Sequence, residues 1–228
     1  PQVVQVQISP SVNAAGTTLS STSTNALMIL SAGVNGTGDL YLNADNSSGT
    51  GGITLSGATA VNMLGRIFNG GSGLGTVLIS SAIGANNAGI FQNSASSPLL
   101  LNSANTFTNG VTINNGTIQI GNATALGPVG KNTVTFGPGT SSGLLVLNGF
   151  NSTIGGLVSD PTVPGNPIVQ NGNPITNSLL TVNNSVDNTF AGVLQDGGVA
   201  WLGLTKSGAG TLTLSGNNTF SGPLKVNG

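Results

Sequence analysis

Charge is the scarcest thing in this chain. Of 228 residues, five are acidic (Asp39, Asp45, Asp160, Asp187, Asp196) and four basic (Arg66, Lys131, Lys206, Lys225), 4% in all. Soluble domains usually carry roughly a quarter charged residues, so Asn, Ser, Thr and backbone must supply the polar surface. There is no Glu, no His and no Cys. These absences exclude His-based triads, thiol nucleophiles, disulfides and conventional zinc sites. A net charge of −1 offers no electrostatic footprint for nucleic acid. No apolar run approaches the ~20 residues of a membrane-spanning helix. No cofactor is expected.

The strong helix formers Glu, Lys and Arg are nearly missing, while 37 glycines and many Thr, Ser and Asn are present. Gly and Asn accept the positive φ of tight turns, and Thr, Val and Ile favour strands. Hydrophobic residues still reach 37%, enough to build a core. The composition predicts an all-β chain of short strands and frequent turns.

Short alternating pieces follow one another along the sequence. Val4, Val6 and Ile8 alternate with Gln5 and Gln7; residues 11–25 read as a Ser/Thr-rich loop. Strand-like pieces then fall at 26–30, 39–42, 52–55, 61–68 and 75–79, and later at 133–136 and 144–147. From 160 to 174 the chain is rich in Pro and Asn. Pro161, Pro164, Pro167 and Pro174 argue against an interior strand and for a protruding loop. The organisation is thus a single solenoid segment over 1–228. Degenerate coils occupy 1–98 and repeat-containing coils 99–159. A Pro/Asn-rich excursion spans 160–178, and repeat-containing coils resume over 179–228.

The repeat itself is legible at the C-terminus. Leu212-Thr-Leu is a strand, Ser215 to Asn218 a turn, then come Thr219-Phe220, a Gly-Pro break and Leu224-Lys-Val. The same order recurs from Leu99 and, in part, from Leu180. Asn-Thr-Phe marks each copy: Asn105, Thr106, Phe107; Asn188, Thr189, Phe190; Asn218, Thr219, Phe220. These nine are the repeat-defining structural residues. One unit cannot bury its own apolar face, whereas stacked units can. At roughly 20–30 residues per coil and ~4.8 Å per rung, the chain makes about 8–11 coils with irregular loops, on the order of 40–50 Å of rod. Stacking would align equivalent residues and let turn asparagines form amide ladders.

Lys206–Gly228, KSGAGTLTLSGNNTFSGPLKVNG, resembles the passenger-associated transport repeat of bacterial autotransporters, K-x-G-x-G-T-L-x-L-x-G-x-N-T-[YF]-x-G. Ser103–Asn122 resembles the same repeat, including the trailing Gly116-Thr-Ile-Gln-Ile-Gly strand. Pro223 and Leu224 depart from its usual Gly and Thr. The resemblance implies a right-handed parallel β-helix, secreted and displayed extracellularly on a bacterial cell surface. The C-terminal copy lacks the trailing strand, so both chain ends read as cuts from something longer.

Candidate chemistry is sparse. Two carboxylates facing one sugar would be needed for glycoside hydrolysis, and Asp39 with Asp45 is the closest pair in sequence; solvated turn Asp is the plainer reading. Gly70 to Gly75 has the glycines of a calcium or phosphate loop but neither the Asp nor a following helix. Lys206 belongs to the repeat. Arg66 should bond a turn Asp or carbonyl. Tyr41 and Trp201 could stack on sugars or pack on rungs. The sequence therefore predicts no enzyme, but a structural stalk, fibre or filament segment. Its charge-poor edges favour end-to-end or lateral self-association, with Pro1–Ile8 a candidate contact strand. The alternative is an adhesin or carbohydrate-binding passenger, with surface glycans as partners and Trp201, Tyr41 and the 160–174 loop gathered on one face.

Overall fold

A computed structural model describes residues 2–6 and 11–227. Gln7 and Ile8, part of the expected contact strand, lie outside that range, as do Pro1 and Gly228.

Every strand pairing is parallel, and no helix occurs among the described residues. The chain winds as a β-solenoid of about nine coils with three faces. Face 1 is one nine-stranded sheet: Gln2–Val6, Ala26–Leu30, Gly52–Leu55, Thr76–Ile79, Leu99–Leu101, Thr117–Ile120, Leu144–Val146, Ile168–Gln170 and Val193–Gln195. Face 3 stacks Thr17–Ser21, Leu40–Ala44, Ile67–Asn69, Ile90–Gln92, Val111–Ile113, Thr133–Phe136 and Gly156–Ser159, then continues with Asn188–Phe190 on Leu212–Leu214. Face 2 is less regular. Ser11–Val12 pairs Asn35–Gly36, single bridges join Val34, Val61 and Ile83, and a four-stranded sheet closes it with Ser152–Ile154, Ser178–Asn183, Leu202–Ser207 and Leu224–Val226.

The register explains the alternating sequence. Met28, Ile53, Val77, Leu99, Ile118, Leu145, Val169 and Leu194 are successive partners on face 1. From Ile53 onward all are fully buried. Side chains alternate across a strand, so one apolar residue in two suffices to fill the core. Full burial of each such residue stabilises by about 1.5–3 kcal/mol, as an upper bound. Face 3 supplies the opposing row of Leu40, Ile67, Ile90, Val111, Val134 and Leu157.

Coil length is elastic. Leu99 meets Ile118 nineteen residues on, whereas Thr117 meets Leu144 twenty-seven on. The corners absorb the difference, and some require glycine. Gly52, at φ 150°, lies so close beneath the Thr76 carbonyl that a Cβ would sit 2.1 Å from it.

Three expectations need correction. The 160–174 excursion does contain an interior strand: Ile168–Gln170 lies in the nine-stranded sheet with Val169 fully buried. The prolines flank the strand instead of occupying it. Pro167 needs only its carbonyl, which accepts Val193 N–H at 2.9 Å. Excursion remains on either side, with Val163 and Ile175 exposed. Next, residues 11–25 hold the strands Ser11–Val12 and Thr17–Ser21; the ladder bonds are backbone bonds, Thr suits a strand, and Val12 and Leu19 supply the apolar contacts. The third concerns the asparagines.

Candidate functional site

Turn asparagines do pair between coils in one place, Asn114 Nδ2 donating to Asn93 Oδ1 at 2.8 Å, but the three Asn-Thr-Phe copies do not stack into ladders. Asn105 lies on face 2, between Leu99–Leu101 and Val111–Ile113. Asn188 lies on face 3, and Asn218 sits over Leu194 of face 1. Each copy falls one face further around the rod, because the thirty residues from Asn188 to Asn218 exceed the twenty-four from Asn188 to its partner Leu212. The unit is therefore a local device that works in any frame.

That device is a backbone clamp. Asn105 Oδ1 accepts the N–H of Ile83 at 2.8 Å, Asn188 Oδ1 that of Leu157 at 3.2 Å, and Asn218 Oδ1 that of Leu194 at 2.8 Å. Thr106 N–H donates to Ile83 O, and Thr219 N–H to Leu194 O, both at 2.9 Å. The side-chain amide thus stands in for the missing strand partner and satisfies a buried donor of the preceding coil. The Phe fills the core beneath: Phe107 and Phe190 are fully buried, Phe220 half-buried at the last coil. Phe190 also packs against Phe136 at 5.4 Å between centroids.

Other buried asparagines, legible only as abundance in the sequence, act in the same way. Asn132 Oδ1 accepts Gly110 N–H while its Nδ2 donates to Phe107 O and Leu126 O. Asn171 joins Gly149 N–H to Thr176 O, Ala200 O and Trp201 O.

All five carboxylates are inter-coil clips. Asp39 accepts Arg66 N–H, Asp45 Ser72 N–H, Asp160 Gly139 N–H, Asp187 Thr211 N–H and Asp196 Ser221 N–H, at 2.7–3.0 Å and one coil apart in each case. Every one of these pKa values lies below the ordinary carboxylate range. For Asp39 and Asp196, partial burial pushes the other way, and hydrogen bonds from Arg66, or from Leu202 and Ser221, outweigh it. For Asp45, Asp160 and Asp187 the leading cause is a backbone N–H, from Ser72, Val163 and Thr211 respectively. Asp39 and Asp45 flank opposite ends of Leu40–Ala44 and do not converge.

On the outer surface of face 3, Tyr41, Phe68 and Phe91 are register partners and stack at 5.0 and 4.8 Å. The Arg66 guanidinium lies 5.1 Å from the Phe68 centroid and 5.7 Å from that of Phe91, and pairs with Asp39 at 2.8 Å. Arg66 bonds a turn Asp, one of the two partners its sequence setting predicts; the aromatic column it covers exists only through register, which brings the rings together. Trp201 precedes Leu202–Ser207, far along the rod from Tyr41, and packs on Gly222. Tyr41, Trp201 and the excursion do not gather into one platform. Gly70 to Gly75 forms the corner laid over Asp45 and Asn46. Lys206 Nζ donates to the carbonyls of Ser207 and Gly208. A shallow apolar cleft of about 220 Å³ lies between Thr135, Phe136, Pro138, Val158 and Pro161, with Asp160 the one charged group on its wall. No group of three metal-ligating side chains occurs among the described residues.

Residues 99–120 and 204–228 match the passenger-associated-transport-repeat family. The two matched stretches contain the Asn105 and Asn218 clamps. The chain is also 36% identical over 87 residues to "Adhesin BmaC autotransporter" of Brucella suis biovar 1 (strain 1330). That alignment covers 38% of this chain and 2% of the relative's length. No solved structure matches. The similarity is thus to autotransporter passengers, through repeats that here form coils of a β-solenoid.

Proposed function

We propose that this chain is a segment of a secreted bacterial surface passenger and serves as a rigid structural spacer, without catalytic activity. The observation that carries the reading is the use of the polar groups. Each carboxylate, and each Asn-Thr-Phe asparagine, is spent on joining one coil to the next. Carboxylates held ionised by backbone donors and spread singly along a rod are poor general acids. The similarity to autotransporter passengers supports an extracellular location. Such rods would associate laterally or end to end because so few charged side chains, 4% of the chain, guard their strand edges. Electron microscopy of the concentrated chain tests this: filaments or bundles are expected, and dispersed single particles at all concentrations would refute self-association.

A second reading, adhesion to surface glycans, is favoured by the outward column of Tyr41, Phe68 and Phe91 beside Arg66. Its test is glycan-array binding that is lost with Tyr41→Ala. Retention of binding in that variant, or no binding by the parent chain, would remove this reading.

A further inference from the structure

Asn-Gly is the dipeptide most prone to spontaneous deamidation, because glycine leaves its nitrogen open to attack. The chain has it at Asn35, Asn69, Asn109, Asn115, Asn148, Asn171 and Asn227. The fold treats these sites differently. Gly70 N–H donates to Leu42 O, Gly110 N–H to Asn132 Oδ1, Gly149 N–H to Asn171 Oδ1 and Gly172 N–H to Asp196 O. In each case the nitrogen that would attack is tied to a neighbouring coil. Asn35–Gly36 is itself a strand, paired with Ser11–Val12, and Thr37 N–H to Val12 O at 2.9 Å pins its peptide in extended form.

Asn115–Gly116 differs on every count. It forms the corner between Val111–Ile113 and Thr117–Ile120, outside any strand. Gly116 sits at φ 61°, and its N–H has no hydrogen bond among the described residues. The Asn115 side chain is half-buried, and its Oδ1 accepts the Ser142 hydroxyl at 3.1 Å. That bond polarises the amide carbonyl and leaves the NH2 group free to depart.

We propose that Asn115 is a self-modification site, the point in this otherwise protected rod where deamidation begins. The Gly116 nitrogen bonds to Asn115 Cγ, the Cγ–Nδ2 bond breaks, and ammonia leaves with the Gly116 amide proton. Water then opens the succinimide at either carbonyl, giving aspartate or isoaspartate. The product puts a new carboxylate on the residue next to Asn114, whose Oδ1 is buried and unpartnered. The isoaspartate form also lengthens a corner in which Gly116 is packed so closely on Ser94 that a Cβ would lie 2.0 Å from its carbonyl oxygen.

The test is peptide mapping by mass spectrometry of the whole chain aged in warm, mildly alkaline buffer. The chain unfolded in denaturant, aged until its Asn-Gly sites react, is the reference. Native protein should gain the amide-to-acid mass difference first at Asn115, while Asn35, Asn69, Asn109, Asn148 and Asn171 stay intact. The unfolded chain should convert at all six. The proposal fails if any of those five reacts in the native chain before Asn115. It also fails if native Asn115 stays intact over the time in which the unfolded chain reacts there.

Discussion

Asn105 Oδ1 accepts the backbone N–H of Ile83 at 2.8 Å, across 22 residues of chain and one coil of the rod. The same amide donates to Ala125 O in the following coil at 2.6 Å. One side chain thus bridges three consecutive coils from a site that is 4% exposed. Replacing it by alanine strands a buried donor and a buried acceptor, each costing about 1–3 kcal/mol.

Asn105→Ala should therefore lower unfolding free energy by about 2–4 kcal/mol. Asn218→Ala, whose site is half-exposed at the last coil, should cost under ~1 kcal/mol, because water can replace the lost bond. Urea titration of the two variants checks this. Equal losses would mean that the clamp adds nothing beyond local turn chemistry.

Acid should act through the carboxylates alone, since Glu and His are absent. All five Asp values are lowered in the folded chain. Their contribution is full above the unfolded pKa of about 3.9 and is lost as pH falls through the lower folded values. Thermal unfolding should be nearly independent of pH from neutrality down to about 5, then fall below about 4. A marked drop between pH 7 and 5 would contradict these assignments.

The Arg66–Asp39 pair is exposed, the Arg side chain at 48%. Exposed pairs are worth about 0–1 kcal/mol and weaken with salt. Arg66→Lys keeps the charge but loses the planar contact with Phe68 and Phe91. We expect a loss of under ~1 kcal/mol that persists at high salt, the cation–π share being short-ranged. A loss abolished by salt would assign the stabilisation to the ion pair instead.

Gly52→Ala should be far more damaging than its size suggests. The added Cβ meets the Thr76 carbonyl oxygen at 2.1 Å, and φ 150° is already foreign to L side chains. The coils must separate or the ladder break, at a cost of about 3 kcal/mol or more. Calorimetry against the parent chain measures it; near-parent stability would mean that the corner is softer than its packing indicates.

Much of this architecture was legible because stacking simplifies the sequence. Alternation at Leu212-Thr-Leu or Val111-Thr-Ile marks a strand with one buried face, and each of those strands is present. Prolines misled at 167 and 174, because a three-residue strand fits between them. Ser and Thr misled at 17–21, because an end strand needs few apolar residues: Leu19 packs on the core, and Ser21 is buried with its hydroxyl donating to Ala26 O. The clamp asparagines were found by repetition, but their action was not: a side-chain amide that replaces a strand needs the register of a neighbouring coil. The column of Tyr41, Phe68 and Phe91 was hidden for the same reason, with partners 27 and 23 residues apart that follow no fixed period.

The central claim is a straight rod in which every coil advances by one rung. The chain has no native cysteine, so pairs of spin labels can be placed at will. Thr18 and Val158 end an outward row that passes through Tyr41, Phe68, Phe91, Thr112 and Thr135 in six steps. Electron–electron distance measurements from Thr18 to Thr112, Thr135 and Val158 should rise by about 4.8 Å per step, to on the order of 29 Å at Val158. Narrow distributions that grow linearly support a rigid spacer; broad ones, or distances that stop growing with coil number, would contradict it.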